Sequence, residues 1–219
     1  MKYRSVFDII GPVMIGPSSS HTAGAARIGR VARRLFGHMP KKVTIHLYGS
    51  FAKTYKGHGT DIALVGGLLD FDTFDERIVN ALSLAEEAGM EVKFIEDDAA
   101  ADHPNTARLL LEDGDNKLEV VGVSVGGGKI EITELNGFDI SLSGSQPALL
   151  VVHHDRYGAV AAVASILAKH EINISYMEVS RKVKGDIALM IIETDQEVAD
   201  EIAKEIEVQP HMLNVAVLA

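Results

Sequence analysis

The spacing of apolar residues along this chain alternates between two periods, and the switches outline its elements. Arg27, Ile28, Val31 and Leu35 recur at helical spacing and predict a helix over 22–36, closed by Gly37 as a C-cap. Over Lys42–Tyr48 the period drops to two, with Val43, Ile45 and Leu47 set against Thr44, His46 and Tyr48, which predicts a strand. The polar, glycine-rich stretch from Gly49 to Asp61 reads as a loop. A short helix over 61–69 capped by Thr60 and a longer one over 74–89 follow, then a short strand over 91–95 and an acidic linker. Ahead of all these, Tyr3 and the apolar residues 6–10 are expected to pack on the core.

From Thr106 the pattern turns to strands. Residues 107–111, 118–125 and 129–135 are β-like, joined by turns at Asp113-Gly114-Asp115 and Gly126-Gly127-Gly128. The triple glycine is not a phosphate loop of the Walker type. Ile130 stands where Ser or Thr is needed, and the following residues alternate as a strand. Residues 137–147, rich in Gly, Ser and Asp, mark a boundary. Beyond it the chain predicts a strand over 148–153, a helix over 158–170 and strands over 172–183 and 186–193. A helix over 196–207 and a strand over 211–218 complete it. This strand-helix-strand-strand-helix-strand order is the ferredoxin-like unit. The class is α+β in two domains, a mixed α/β amino-terminal domain and a ferredoxin-like βαββαβ carboxy-terminal one.

Composition narrows the function classes. The 21 Lys and Arg against 31 Asp and Glu give a net charge of −10, which argues against nucleic acid or an anionic membrane as partner. No run approaches the ~18 apolar residues of a membrane span. Asp8, Gly11 and Pro12 interrupt any signal-type core, so a cytoplasmic location is expected. The chain has no cysteine, hence no disulfide, no thiolate nucleophile and no thiolate ligand for zinc or an iron–sulfur cluster.

Candidate chemistry gathers in three histidine-bearing loops. In Gly16-Pro17-Ser18-Ser19-Ser20-His21-Thr22, Pro17 keeps the chain extended and the hydroxyls lead onto a helix start, with Ser19 or Ser20 as N-cap. The first amides of a helix lack partners and carry about half a positive charge, which suits a carboxylate or phosphate. His21 adds a group titrating near ~6.5. The simpler alternative is a serine-capped helix, stabilised by about 1 kcal/mol, with His21 at the surface. Lys56-Gly57-His58-Gly59-Thr60-Asp61 brings a cation, an imidazole and a carboxylate to a second helix start, and on local sequence alone a turn with a Thr60 cap is the better reading of it. His103-Pro104-Asn105 can be a functional loop or a plain turn into the next strand. A metal site of His21, His58 and His103 matches no recognised ligand spacing, and the adjacent His153 and His154 on a strand face opposite ways. The Gly-x-Ser-x-Gly elbow of serine hydrolases is absent.

Taken together, the serine-rich motif, the Lys56–Asp61 loop, His103-Pro104-Asn105 and Ser124-Val125-Gly126-Gly127-Gly128 resemble the beta chain of the iron–sulfur-dependent L-serine dehydratases, over essentially the whole chain. Ala25 stands where many members carry proline, and Tyr157 where proline is common. The resemblance implies a domain over 1–146, similar to the allosteric substrate-binding domain of some phosphoglycerate dehydrogenases, and an ACT domain over 147–219. It also implies loss of water from L-serine to give pyruvate and ammonia. A 4Fe-4S cluster, carried by a partner alpha chain, then serves as Lewis acid on the hydroxyl. Under this reading His21, His58 and His103 are catalytic. Ser18, Ser19, Ser20, Thr22, Lys56, Thr60, Asp61 and Asn105 bind substrate, while Asp155, Gly158 and Asn173 hold a regulatory ligand. The expected partners are the alpha chain, a small amino acid, and a second copy of this chain through the ACT domain. The alternative is a stand-alone sensor of an amino acid or hydroxy acid.

Overall fold

The computed structural model describes residues 13 to 218, so the expected packing of Tyr3 and residues 6–10 lies outside the described residues. The chain divides into two compact units, Met1–Asn136 and Gly137–Ala219.

In the first unit Ser18 ends the extended segment and accepts the His21 N–H on its side chain; a single π-helical turn, Ser19–Gly24, follows and runs straight into α1 (Ala25–Phe36). The N-cap is therefore Ser18, not Ser19 or Ser20. One wide turn thus lies between Ser18 and the first residue of α1. Strand β1 (Lys42–Tyr48) buries Val43, Ile45 and Leu47 completely, as its alternation requires.

The next segment differs from expectation. Residues 49–58 form a helix, α2 (Gly49–His58), rather than a loop. Its glycines sit near the ends, and Phe51 and Tyr55, one turn apart, are buried. Tertiary burial of that pair outweighs the polar composition. Gly59, at φ +70°, links α2 to α3 (Thr60–Leu68) and occupies the N-cap position. Thr60 is thus the first helical residue and caps nothing. The predicted helix over 74–89 resolves into a 3₁₀ turn, Glu76–Asn80, and α4 (Ala81–Glu87). Val79 and Leu82 are exposed while Ile78, Ala81 and Ala85 are buried, so the apolar residues do not form one stripe. Strands β2 (Glu91–Asp97), β3 (Thr106–Asp113), β4 (Asn116–Gly126) and β5 (Lys129–Leu135) complete the unit.

Its strands run in the order β2-β1-β3-β4-β5, with β1 and β2 parallel and the other pairs antiparallel. Gly126, Gly127 and Gly128, all at positive φ, turn β4 into β5, so the triple glycine serves a hairpin. Helices α1 and α3 cross where glycine is obligatory. A Cβ on Gly29 would lie 2.1 Å from the Leu64 carbonyl oxygen, and one on Gly67 2.0 Å from that of Ala26.

The second unit begins with β6 (Phe138–Leu142), after which come β7 (Ala148–His154), α5 (Ala159–Lys169), β8 (Ile174–Arg181), β9 (Ile187–Thr194), α6 (Asp200–Glu207) and β10 (Met212–Leu218). The order β10-β7-β9-β8, antiparallel throughout, is the ferredoxin-like arrangement. Leu149, Val151, Met190 and Ile192 from the sheet pack with Val163, Leu167 and Ile206 from the helices. His153 is buried and His154 exposed, as neighbours on a strand should be. Among the described residues no helix is long and apolar enough to cross a membrane.

Candidate active site

The head of the serine-rich turn is tied mostly to itself. The Ser18 N–H donates to Thr22 Oγ1 at 3.3 Å, and the Thr22 N–H returns to the Ser18 carbonyl at 2.9 Å. Thr22 is buried beneath the turn as a result. The His21 N–H donates to Ser18 Oγ at 3.1 Å. The amides of Ser19 and Ser20 have no partner among the described residues, and both residues are half-buried. Two bare N–H groups at a helix head are chemically suited to an anion.

His21 projects from this turn into a cage of side chains. Its Nε2 lies 3.0 Å from Ser50 Oγ and its Nδ1 3.4 Å from Ser18 Oγ. The ring meets Phe51 edge-on at 5.3 Å and His58 edge-on at 4.9 Å between centres. Burial, and then the charge on His58, hold the His21 imidazole below the ordinary histidine value of 6.5. His21 is therefore neutral at pH 7, with a ring nitrogen able to accept a proton. His58, last residue of α2, is exposed.

The third loop joins through its backbone. The Pro104 carbonyl accepts the N–H groups of Ser50 (2.7 Å) and Phe51 (3.3 Å), so it closes the head of α2. The Asn105 N–H donates to His103 Nδ1 at 3.1 Å. A backbone N–H is always a donor, so neutral His103 carries its hydrogen on Nε2. Asn105 also reaches β4: its Nδ2 donates to the Ser124 carbonyl at 3.4 Å, and its own carbonyl accepts the Ser124 N–H at 3.0 Å.

Sequence-named residues thus fall into two sets. Ser18, His21 and His58 are brought together, with the 103–105 loop fastened to them through Ser50. Lys56, Thr60 and Asp61 stand apart from that hydrogen-bonded set. Lys56 is exposed with its ammonium 5.4 Å from the Tyr55 ring centre. Asp61 accepts its neighbour Ile62's N–H at 2.9 Å, and Thr60 Oγ1 is buried without a partner. In the second unit, Asp155 accepts from Gly185 N–H (2.8 Å) and Arg181 (3.0 Å), Gly158 is the left-handed N-cap of α5, and Asn173 Nδ2 donates to Asp195 at 2.6 Å.

Sequence reasoning missed Ser50 and Phe51, because the segment read as a loop. The available signal was position: Gly49-Ser50 directly follows the carboxyl end of a predicted strand, where sites in α/β layers collect.

Comparison with known proteins bears on what this arrangement serves. Residues 5–89 match the family model of the serine dehydratase beta chain, and residues 148–211 that of the ACT domain. Over 219 residues, all of both chains, the sequence is 60% identical to the probable L-serine dehydratase, beta chain, of Bacillus subtilis. This chain belongs to the serine dehydratase beta-chain family. A second member, the L-serine dehydratase, beta chain, of Peptoniphilus asaccharolyticus, is 36% identical over 204 residues, 92% of each chain. More distantly, the D-3-phosphoglycerate dehydrogenase of Synechocystis is 27% identical over 184 residues, 83% of this chain but 33% of that one. The resemblance read from the four motifs is thereby borne out at the level of family.

Proposed function

We propose that this beta chain completes an L-serine ammonia-lyase by seating the substrate's carboxylate on the Ser19 and Ser20 amides and handling protons through His21 and His58. Full-length identity to a probable L-serine dehydratase beta chain carries the reading. A second beta chain matched over 92% of each sequence favours it over the sensor reading, whereas the match to D-3-phosphoglycerate dehydrogenase covers only a third of that enzyme.

The chemistry divides between two chains. Without a cysteine, this one offers no thiolate to a 4Fe-4S cluster, so the cluster is assigned to a cysteine-bearing alpha chain. When bound there, it supplies Lewis acidity toward the leaving hydroxyl. This chain's residues do the rest of the work assigned to it. The bare amides of Ser19 and Ser20 at the turn's head fix the carboxylate. His21, its pKa lowered by burial and by His58, exchanges protons through the Ser18 and Ser50 hydroxyls that its two ring nitrogens meet. His58, exposed and in edge-on contact with His21, passes protons between that ring and substrate or solvent. His103, with Nε2–H as its donor, orients substrate from the third loop. The ACT domain pairs two copies of the chain and takes a small amino acid near Asp155, Gly158 and Asn173.

Anaerobic mixing of this chain with a cluster-loaded alpha chain tests the reading. Serine-dependent pyruvate that neither chain forms alone is the expected result. Tight serine binding by this chain, with no effect on the turnover of the alpha chain, would instead establish the sensor reading.

A further inference from the structure

Ser50 ties the two loops of the site described above to one helix head. Its N–H donates to the Pro104 carbonyl at 2.7 Å, its carbonyl accepts Thr54 Oγ1 at 2.8 Å, and its hydroxyl lies 3.0 Å from His21 Nε2. One residue at the head of α2 therefore contacts both the serine-rich turn and the 103–105 loop. Helix formation does not require that hydroxyl. The N-cap of α2 is Tyr48, which makes no side-chain cap, and Ser50 already lies inside the first turn.

A Ser–His pair at a helix head invites a nucleophile reading, and the geometry opposes it. The amides of Ser50 and Phe51, the donors an oxyanion would need, are both filled by the Pro104 carbonyl. The hydroxyl is left to act on the imidazole itself. Ser18 Oγ accepts the His21 N–H at 3.1 Å while lying 3.4 Å from Nδ1, so its own hydrogen is free to turn toward the Nδ1 lone pair. We take Ser18 as the donor to Nδ1, which assigns the ring hydrogen to Nε2 and makes Ser50 Oγ, 3.0 Å away, its acceptor. Phe51 and His58 meet the ring edge-on at its other borders and limit its rotation.

We propose that Ser50 is a positioning residue, whose hydroxyl fixes the orientation and the Nε2–H tautomer of His21 and whose backbone locks the 103–105 loop to the same ring. The inference deepens the lyase reading and rests on it for its kinetic consequence. Its structural content does not depend on that reading.

Nitrogen-15 spectra of the imidazoles, recorded on the full-length chain and assigned with His21→Gln, test the structural content. The native chain should show His21 as one tautomer, protonated at Nε2. In Ser50→Ala both tautomers should appear, and in Ser50→Thr, which restores the hydroxyl, the single tautomer should return. Ser50→Cys, nearly isosteric but a weak hydrogen-bond partner, replaces the alanine variant should that one fail to fold, with mixed tautomers again expected. In the pair reconstituted with the alpha chain, Ser50→Ala should lower kcat about tenfold with KM for serine within twofold, and Ser50→Thr should recover most of the loss. A native-like single tautomer in the alanine or cysteine variant overturns the proposal, as does an undiminished kcat. If the native pair forms no pyruvate, the lyase reading fails while the spectra still judge Ser50.

Discussion

The rings of His21 and His58 stand nearly perpendicular, at 85°, with centres 4.9 Å apart. Two imidazoles at that separation do not readily hold two protons, so protonation of one opposes protonation of the other. This coupling joins the carboxyl end of α2 to the turn before α1, 37 positions earlier in the chain.

The coupling should be visible in titration. His21 sits below 6.5 because of burial first and His58 second. Removing the second cause with His58→Gln should raise the His21 pKa toward 6.5 without reaching it, as followed by the imidazole proton shifts. The sign for stability follows. A histidine whose folded value is depressed is neutral in both states above 6.5 and contributes nothing there. As pH falls from 6.5 through the lowered value, the unfolded chain binds the proton first and the fold loses stability. His58→Gln should narrow that window, and an unmoved His21 titration would show that the rings do not interact.

Loss of the His21 ring should be felt in turnover. His21→Ala in the reconstituted pair is expected to cut kcat by at least ~10²-fold, the lower range for a lost proton-transfer group. Steady-state pyruvate formation measures it, and near-native turnover would remove His21 from the mechanism.

Gly24, the last residue of the π turn, has no room for a side chain. A Cβ there would fall 2.1 Å from Ser124 Oγ, and Ser124 is held on both backbone sides by Asn105. Gly24→Ala should therefore destabilise the fold by about 1–3 kcal/mol in denaturant titration. Ser124→Ala should do the opposite. The hydroxyl is buried with no partner, so its removal should leave stability unchanged or raise it by up to about 1 kcal/mol.

Asp155 should act as a fastener for the β8–β9 turn. Its carboxyl is held below the ordinary carboxylate value by the Gly185 N–H first and Arg181 second. Such a group stabilises the fold above its unfolded value of 3.8, and that contribution disappears as pH drops through the lowered one. Asp155→Ala should speed hydrogen exchange at the Gly185 amide at neutral pH, and unchanged exchange would show that the bond does not restrain the turn.

Much of this architecture was legible in the order of residues. The period-two run through Val43, Ile45 and Leu47, the periodicity leading into Gly37, and the βαββαβ succession after residue 147 each follow from local spacing, because burial of alternate or every third to fourth side chain imprints itself on sequence. The motif carrying His21 was legible too, as was the absence of any thiolate in this chain.

Tertiary structure alone decided the rest. Helix α2 exists because Phe51 and Tyr55 find a core to enter, which composition cannot announce, and with it came Ser50 and the perpendicular meeting of His21 and His58. The cap is Ser18 because the chain enters α1 through a π turn, with Gly24 packed on Ser124, and the N-cap of α3 is Gly59 in place of Thr60. For α2 and the His21–His58 pair the deciding contacts join residues far apart in the chain, and a periodicity read over a dozen neighbours carries no record of such a contact.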